Sequence, residues 1–265
     1  MSTPSVANVK TPENGHWYTV DGKPCYEVPK KDGKGMTATT LRHARTMNLI
    51  PSVTTILRIL DKPALTAWKI EQAVQAVMTS PRIAGEEDDA FIDRVLRQDR
   101  EQDQERDAAA QLGTDIHAAI EAHLHGQPVE PRLHSYIAPV LELLPTFGTL
   151  HASEAVVVGN GYAGRTDAWF VSDSVLTVVD FKSTKRLPKE SYNEARLQLA
   201  AYANTREALL IDQRKQRRGV NVYISTTEPG QIAVCDTPEL MTDTYLAFKN
   251  LVNIWQWMNG YAPIQ

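Results

Sequence analysis

Asp167, Asp180 and Lys182 are residues whose types and spacing could do chemistry together. Asp167 closes the run Gly164-Arg165-Thr166-Asp167 inside an apolar strand pattern. After the turn Ser172-Asp173-Ser174, Val175-Leu176-Thr177-Val178-Val179 climbs to Asp180-Phe181-Lys182. Two such runs read as a β-hairpin. With a turn of two or four residues, the antiparallel register sets Asp167 directly across from Asp180. Their Cβ atoms would then lie about 4.5–5.5 Å apart, a separation at which like charges repel. Converging carboxylates of this kind suit a hard divalent cation such as Mg²⁺. Leu176, Val178, Asp180 and Lys182 share one strand face, and Val175, Thr177, Val179 and Phe181 share the other. Both faces are largely apolar, the pattern of a strand covered on both sides, which puts Asp180 and Lys182 at the rim of a buried sheet. A lysine there can orient water and offset charge on a phosphate. The competing reading is an ordinary hairpin with solvated terminal charges.

The elements that must position these residues follow from periodicity and punctuation. Trp17-Tyr18-Thr19-Val20, Asp21-Gly22 and Pro24 to Val28 read as a small hairpin, and Lys30 to Lys34 as a solvated loop. Pro51 to Leu57 reads either as a strand or, the favoured reading, as a helix capped by Ser52 or Thr54 and carrying Ile56, Leu57 and Leu60, which Pro63 ends. Ala64 to Met78 forms another helix on Leu65, Trp68, Ile70, Ala73 and Val77, with Trp68 read as core and not as a base-stacking platform. Glu86 to Asp107 mixes both charge signs around Phe91, Ile92, Val95 and Leu96 and predicts a solvated helix.

From Ala108 to His125, Leu112, Ile116, Ala119, Ile120 and Leu124 form a buried stripe that Gly126 stops. Gly113, His117 and Glu121 follow one another beside that stripe. His123, His125, His134 and His151 read as partly buried, hydrogen-bonded core residues. Leu133 to Leu144 is a further helix, and Glu154 to Val158 opens the sheet. Pro188 to Leu210 is a helix on which Gln198 and Tyr202 pair one turn apart. Arg214-Lys215-Gln216-Arg217-Arg218 reads as a solvated helix-to-strand loop, with a DNA clamp as the alternative. Val220 to Ser225 and Gln231 to Cys235 are strands joined at Pro229-Gly230, and Glu239 to Trp257 closes the chain as an amphipathic helix with Tyr245, Phe248, Leu251, Ile254 and Trp255. Helices, three antiparallel strands, a crossover helix and a parallel strand make an α/β sandwich with a mixed sheet.

Composition bounds these readings. The 265 residues suffice for one large domain or a domain with an elaborated N-terminus, and 42 % apolar with 23 % charged residues is a soluble globular composition. A formal net charge of −4 argues against bulk attraction to polyanions, so contact with nucleic acid requires local basic surface and bound cations. Cys25 and Cys235 are too few for a Cys₄ zinc or iron–sulfur site and fit a reducing cytoplasm. No apolar run approaches a membrane span, and Met1 to Lys10 resembles no targeting segment.

The residues also carry a family likeness: the chain resembles the PD-(D/E)XK nucleases, in the branch containing the RecB nuclease domain. Gly113-Thr114-Asp115-Ile116-His117 with Glu121 is similar to that branch's helical motif, whose histidine ligates a metal. Gly164-Arg165-Thr166-Asp167 and Asp180-Phe181-Lys182 resemble its second and third motifs. Gln198-Leu199-Ala200-Ala201-Tyr202 resembles its Gln-xxx-Tyr motif, which borders the active site and contacts nucleic acid. Pro51 to Leu57, followed by Trp68, is similar to the corresponding region of phage and mitochondrial genome-maintenance exonucleases. The resemblance implies a restriction-endonuclease-like sandwich over 108–265. It is preceded by a disordered tail at 1–16 and an N-terminal hairpin and helical addition at 17–107.

It also implies one or two Mg²⁺ or Mn²⁺ ions held by His117, Asp167, Asp180 and the Phe181 carbonyl; members of the branch with an iron–sulfur cluster need four cysteines, which Cys25 and Cys235 cannot supply. Lys182 would act in catalysis with Asp167 and Asp180. Gln198, Tyr202, Ser183 and Thr184 would hold substrate, and Glu121, Glu154, Thr114 and Arg165 are further candidates, with Glu121 or Glu154 as an additional carboxylate. The expected activity is a DNA exonuclease of bacterial or phage origin, favouring single strands or free ends in recombination, repair or phage DNA processing, with DNA and a recombination protein as partners. A structure-selective endonuclease and a non-catalytic nucleic-acid-binding subunit are the alternatives.

Overall fold

The computed structural model describes residues 15–101, 104–211, 216–237 and 243–264. In chain order the elements are β1 (Trp17–Tyr18), β2 (Glu27–Pro29), β3 (Met36–Ala38), α1 (Leu41–Met47), β4 (Ile50–Pro51), α2 (Val53–Leu57), α3 (Pro63–Thr79), α4 (Asp88–Glu101), α5 (Gln104–Leu124) and α6 (His134–Leu143). Then follow β5 (Thr149–Gly159), β6 (Tyr162–Val171), β7 (Val175–Thr184), α7 (Asn193–Tyr202), α8 (Arg206–Ile211), β8 (Gln216–Ser225), β9 (Ile232–Thr237) and α9 (Asp243–Asn259). Most of the expected N-terminal tail lies outside the described residues, as do Arg214, Lys215 and the start expected for the last helix at Glu239.

Five strands form one mixed sheet in the order β5-β6-β7-β8-β9. The pairings β5–β6, β6–β7 and β8–β9 are antiparallel, and β7–β8 is parallel. The two-sided apolarity of β7 has the expected cause. On one face Leu176 and Val178 join Trp169, Leu199, Ala200, Phe248, Trp255 and the α2 residues Val53 and Ile56 in one core cluster. On the other, Val179 and Phe181 join Val220, Val222, Ile116, Ile120, Ile137 and Val140. Each such side chain contributes roughly 1.5–3 kcal/mol by leaving water. The sheet is thus clamped between α2, α7 and α9 on one side and α5 and α6 on the other. No helix among the described residues is long and apolar enough to cross a membrane.

Several local expectations are corrected. The Asp21-Gly22 turn forms, with Gly22 at φ +87°, and the expected hairpin closes at the antiparallel Tyr18↔Pro24 bridge, where Cys25 N donates to Trp17 O at 2.8 Å; its longer pairings lie elsewhere, β1 with β4 and β2 with β3 across the Lys30 to Lys34 loop. Ser52 caps α2 by accepting from Thr55 N, as predicted, but the helix stops at Leu57 and Pro63 starts α3 instead of ending α2. Proline is tolerated there because the first helical N–H has no partner in any case.

The Pro188 to Leu210 helix is shorter and broken. It starts at Asn193, and at Thr205, which is buried, a hydroxyl that donates to Tyr202 O and accepts from Ala208 N ends α7 and caps α8. Trp68 and Ile70 are exposed, not core, because α3 and α4 pack mainly on each other and present little of α3 to the sheet. Ile92 and Ile254 are exposed too, on the outer sides of α4 and α9. His123, His125, His134 and His151 lie on the surface. Gln216, Arg217 and Arg218 belong to β8 and not to a loop. Arg217 is buried and donates to Ala203 O at 2.7 Å, and Arg218 pairs with Asp236, so the fold itself engages both.

Candidate active site

The pairing of β6 with β7 runs from Val171↔Leu176 to Ala168↔Val179. The next step in that register is Asp167 opposite Asp180, as the sequence predicted, but backbone pairing ends one residue short of it. Asp167 takes over the missing rung with its side chain, Oδ2 accepting from Phe181 N at 2.7 Å. Beyond this fork the ring of Tyr202 lies against Gly164. A Cβ on Gly164 would stand 2.5 Å from Tyr202 Cε1, so the glycine of the Gly-x-x-Asp run is what lets α7 approach β6.

On the other side of the sheet, Gly113 lets α5 lie close to β7, where a Cβ would collide with the Ser183 hydroxyl. One turn later His117 sets its ring edge-on to Phe181, with centroids 6.5 Å apart, and brings Nδ1 to 3.9 Å from Asp167 Oδ2. Burial, with Lys182 assisting, holds His117 below its ordinary pKa despite the opposing pull of Asp180. The imidazole therefore stays neutral and keeps a lone pair to offer. Glu121 comes after another turn and faces the same region, adding to the rise in the Glu154 pKa.

The acidic residues form a row across adjacent strands. Glu154 lies between the pairs Ser153↔Ala168 and Ala155↔Thr166, which places it across from Asp167, and its φ of +51° marks an irregular rung there. Asp180 follows on β7. Burial pushes the Asp167 carboxyl well above the usual carboxylate range, and the negative charges of Asp180 and Glu154 push it further against the Phe181 hydrogen bond. Glu154 is raised by burial as well, with Arg165, its ion-pair partner, opposing. A buried carboxylate raised by like-charged neighbours in this way creates a demand for positive charge beside it.

Lys182 answers part of it, with Nζ 2.8 Å from Asp180 Oδ2 and 3.1 Å from Gln198 Oε1. Burial works against the ammonium, but Asp180 outweighs it and the Lys182 pKa ends above its ordinary value. Gln198 Nε2 donates in turn to Tyr202 OH at 3.2 Å. The expected Gln-to-Tyr pair is therefore in place and fixes the lysine. A cavity of about 350 Å³ opens beside Lys182 and Gln198, lined also by Thr54, Arg58, Lys62 and Tyr192.

The structure brings together His117, Asp167, Asp180, Phe181, Lys182, Gln198 and Tyr202, with Glu154 beside them and Glu121 behind. Ser183 lies against α5, Thr184 bonds to Arg186 O, Thr114 bonds back to Ala110 O, and Arg165 is held by Glu154, so these four do not enter the cluster. Sequence reasoning missed Asn221, whose Nδ2 donates to Asp180 Oδ2 at 2.9 Å, and Ser191, which donates to Asn221 Oδ1 at 2.8 Å. The available signal was an asparagine inside the apolar run Val220 to Ile224, since a buried amide needs partners. Arg58 and Lys62 were missed because nothing local ties the α2–α3 connection to a strand far along the chain.

No protein-family model matches this chain, and no curated protein matches it. Twelve chains of solved structures do match. The crystal structure of SSO0001 is 14 % identical, with the match covering 76 % of this chain and 89 % of that one at a TM-score of 0.32.

Proposed function

We propose that the protein is a divalent-metal-dependent DNA exonuclease of the PD-(D/E)XK type, in the RecB-like branch, built on a restriction-endonuclease-like sandwich. The observation that carries this reading is the fork at which Asp167 and Asp180 oppose each other while Lys182 reaches in beside them. The chemistry of the donor set fits Mg²⁺ or Mn²⁺. Among the described residues no group of three His, Cys, Asp or Glu side chains stands as a ready metal cage. Mg²⁺ keeps several waters and commonly uses one or two carboxylates plus substrate phosphate. Asp167 and Asp180 would hold the ion, with His117 and the Phe181 carbonyl as further donors, and the histidine favours Mn²⁺. When bound, the ion supplies charge that polarises a phosphate and makes water more acidic.

The protein's own groups do the rest. Lys182, fixed by Gln198, presents an ammonium where negative charge develops on a phosphate and can orient the attacking water. Tyr202 fixes Gln198 in turn. Arg58 brings positive charge to the cavity beside Lys182, where Lys62 is paired at 2.9 Å with Glu194 of the same lining, although the whole chain is net negative. The α3–α4 hairpin springs from this edge, since Lys62 is the residue preceding α3. A helical arm rooted at the cleft admits a flexible single strand more readily than a stiff duplex.

The test is digestion of end-labelled linear single-stranded, linear duplex and covalently closed single-stranded DNA with Mg²⁺ or Mn²⁺. The expected result is fastest loss of the linear single strand and a closed circle left intact. Cutting of the circle at the linear rate would replace the exonuclease with an endonuclease on the same site.

A further inference from the structure

In the sheet, Asp180 and Lys182 of β7 are in register with Asn221 and Tyr223 of β8. Both β8 partners reach the segment leading into α7. Asn221 accepts from Ser191, while Tyr223 OH accepts from Tyr192 N at 3.4 Å and the Tyr223 ring meets the Tyr192 ring edge-on at 5.9 Å. Tyr192 is itself an exposed ring in the wall of the cavity beside Lys182. One continuous chain of contacts therefore runs from that wall through Ser191 and Asn221 to a carboxylate in the centre of the site.

We propose that Asn221 is a positioning residue. It selects which oxygen of Asp180 faces the metal and ties that choice to the segment at Ser191 and Tyr192, so that metal and nucleic acid bind cooperatively. The geometry determines the amide orientation. An ionised carboxylate only accepts, so Nδ2 must face Asp180, and Oδ1 is left to accept from Ser191. Asp180 Oδ2 then receives two donors, Asn221 at 2.9 Å and Lys182 at 2.8 Å. Oδ1 of Asp180 receives none among the described residues and is the oxygen available to a cation. Asn221 is wholly buried in an otherwise apolar strand interior, where a polar side chain is costly unless it is paired. Partners that orient a metal ligand typically change metal affinity by about 10–100-fold when removed. This assignment rests on the nuclease reading for the metal it serves.

The experiment measures Mn²⁺ binding to the full chain by titration calorimetry, for the wild type and for Asn221→Leu, Ser191→Ala and Asp180→Asn. Each is measured with and without a phosphorothioate single-stranded oligonucleotide, and metal-free melting curves are recorded alongside. Leucine keeps the branched outline and heavy-atom count of the Asn221 side chain and suits an apolar strand, so Asn221→Leu should fold while its Mn²⁺ dissociation constant rises about 10–100-fold. Ser191→Ala should bind Mn²⁺ several-fold more weakly and lose the strengthening that the oligonucleotide gives the wild type. An asparagine serving the fold alone would move the melting curve and leave Mn²⁺ affinity unchanged. Unchanged affinity in a folded Asn221→Leu, beside lost binding in Asp180→Asn, would overturn the assignment and spare the nuclease reading. Absence of Mn²⁺ binding in the wild type would remove both. If Asn221→Leu does not fold, Ser191→Ala decides, because its half-exposed hydroxyl is not part of the core, and unchanged affinity and coupling there would overturn the proposal.

Discussion

The β6–β7 fork and the α3–α4 hairpin are both crowded with charge, and they treat it in opposite ways. At the fork, like charges are set together in a buried row, Asp167 held between Asp180 and Glu154, with the Asp167 carboxyl raised as a consequence. In the hairpin, opposite charges are matched near the surface. Glu86 takes two hydrogen bonds from Arg94, each 2.7 Å long, and Arg94 also donates to Pro81 O, closing the connection between α3 and α4. Arg82 and Arg94 both lie over the Phe91 ring. Local opposite-charge pairing of this kind meets its own electrostatic demand within the hairpin. Buried like-charge opposition leaves the fold with an unmet demand that a cation can fill, and it is the stronger pointer to function.

Apart from loss of a carboxylate itself, the largest break in this comparison should come from Lys182→Ala, which removes the cation that the fork supplies for itself. Turnover should fall by about 10²–10³-fold, the scale of losing one donor to developing charge, with KM changing little. Steady-state kinetics on a labelled oligonucleotide would read both. Loss of affinity in proportion to turnover would make the lysine a simple anchor.

Gly164→Ala should cost about 1–3 kcal/mol of stability, as overpacking does in a tight core, and should lower turnover as well, because the displaced Tyr202 no longer holds Gln198. Urea titration and single-turnover rates would separate the two effects. A variant of wild-type stability would show that Tyr202 does not press on β6.

The smallest effect belongs to the hairpin. The Arg94 hydrogen bonds pull the Glu86 pKa down to about 2 from an ordinary 4.5. A lowered folded pKa means stabilisation that is present above the ordinary value and lost as pH falls toward the lowered one. The protection of α3 and α4 amides from hydrogen exchange, taken relative to the intrinsic rate at each pH, should therefore fall as pH drops from about 4.5 to about 2. Glu86→Gln should abolish that dependence and leave DNA cleavage at neutral pH nearly unchanged. A hairpin equally protected at both ends of that range would show that the pair does not secure it.

The fork was largely legible in the sequence because short-range rules govern it. Strand alternation assigned the faces of β7, the hairpin register opposed the two aspartates, and helical spacing set Gln198 beside Tyr202. The Ser52 cap and the Gly126 stop were legible for the same reason. What escaped depended on partners distant in the chain. Asn221 acquires its role from the parallel register with β7, and Arg217 is drawn into the core by carbonyls at the end of α7. Trp68 shows the reverse error: helical spacing identified a stripe on α3, but no element of the sheet comes to cover it. The break at Thr205 did have a signal, the four polar residues Asn204-Thr205-Arg206-Glu207 between Ala203 and Ala208, and it was passed over because Leu209 and Leu210 resume the apolar pattern.

The central claim is that opposed carboxylates at the fork hold a metal for phosphodiester hydrolysis. The measurement is cleavage of end-labelled linear single-stranded DNA by the wild type and Asp180→Asn, in Mg²⁺ and in Mn²⁺, with metal-free melting curves of both. The wild type should degrade the strand and Asp180→Asn should not. Their melting curves should nearly coincide, because the lost Lys182 pair is offset by relief of the repulsion with Asp167. Near-normal cleavage by a folded Asp180→Asn, or no cleavage by the wild type with either metal, would contradict the account.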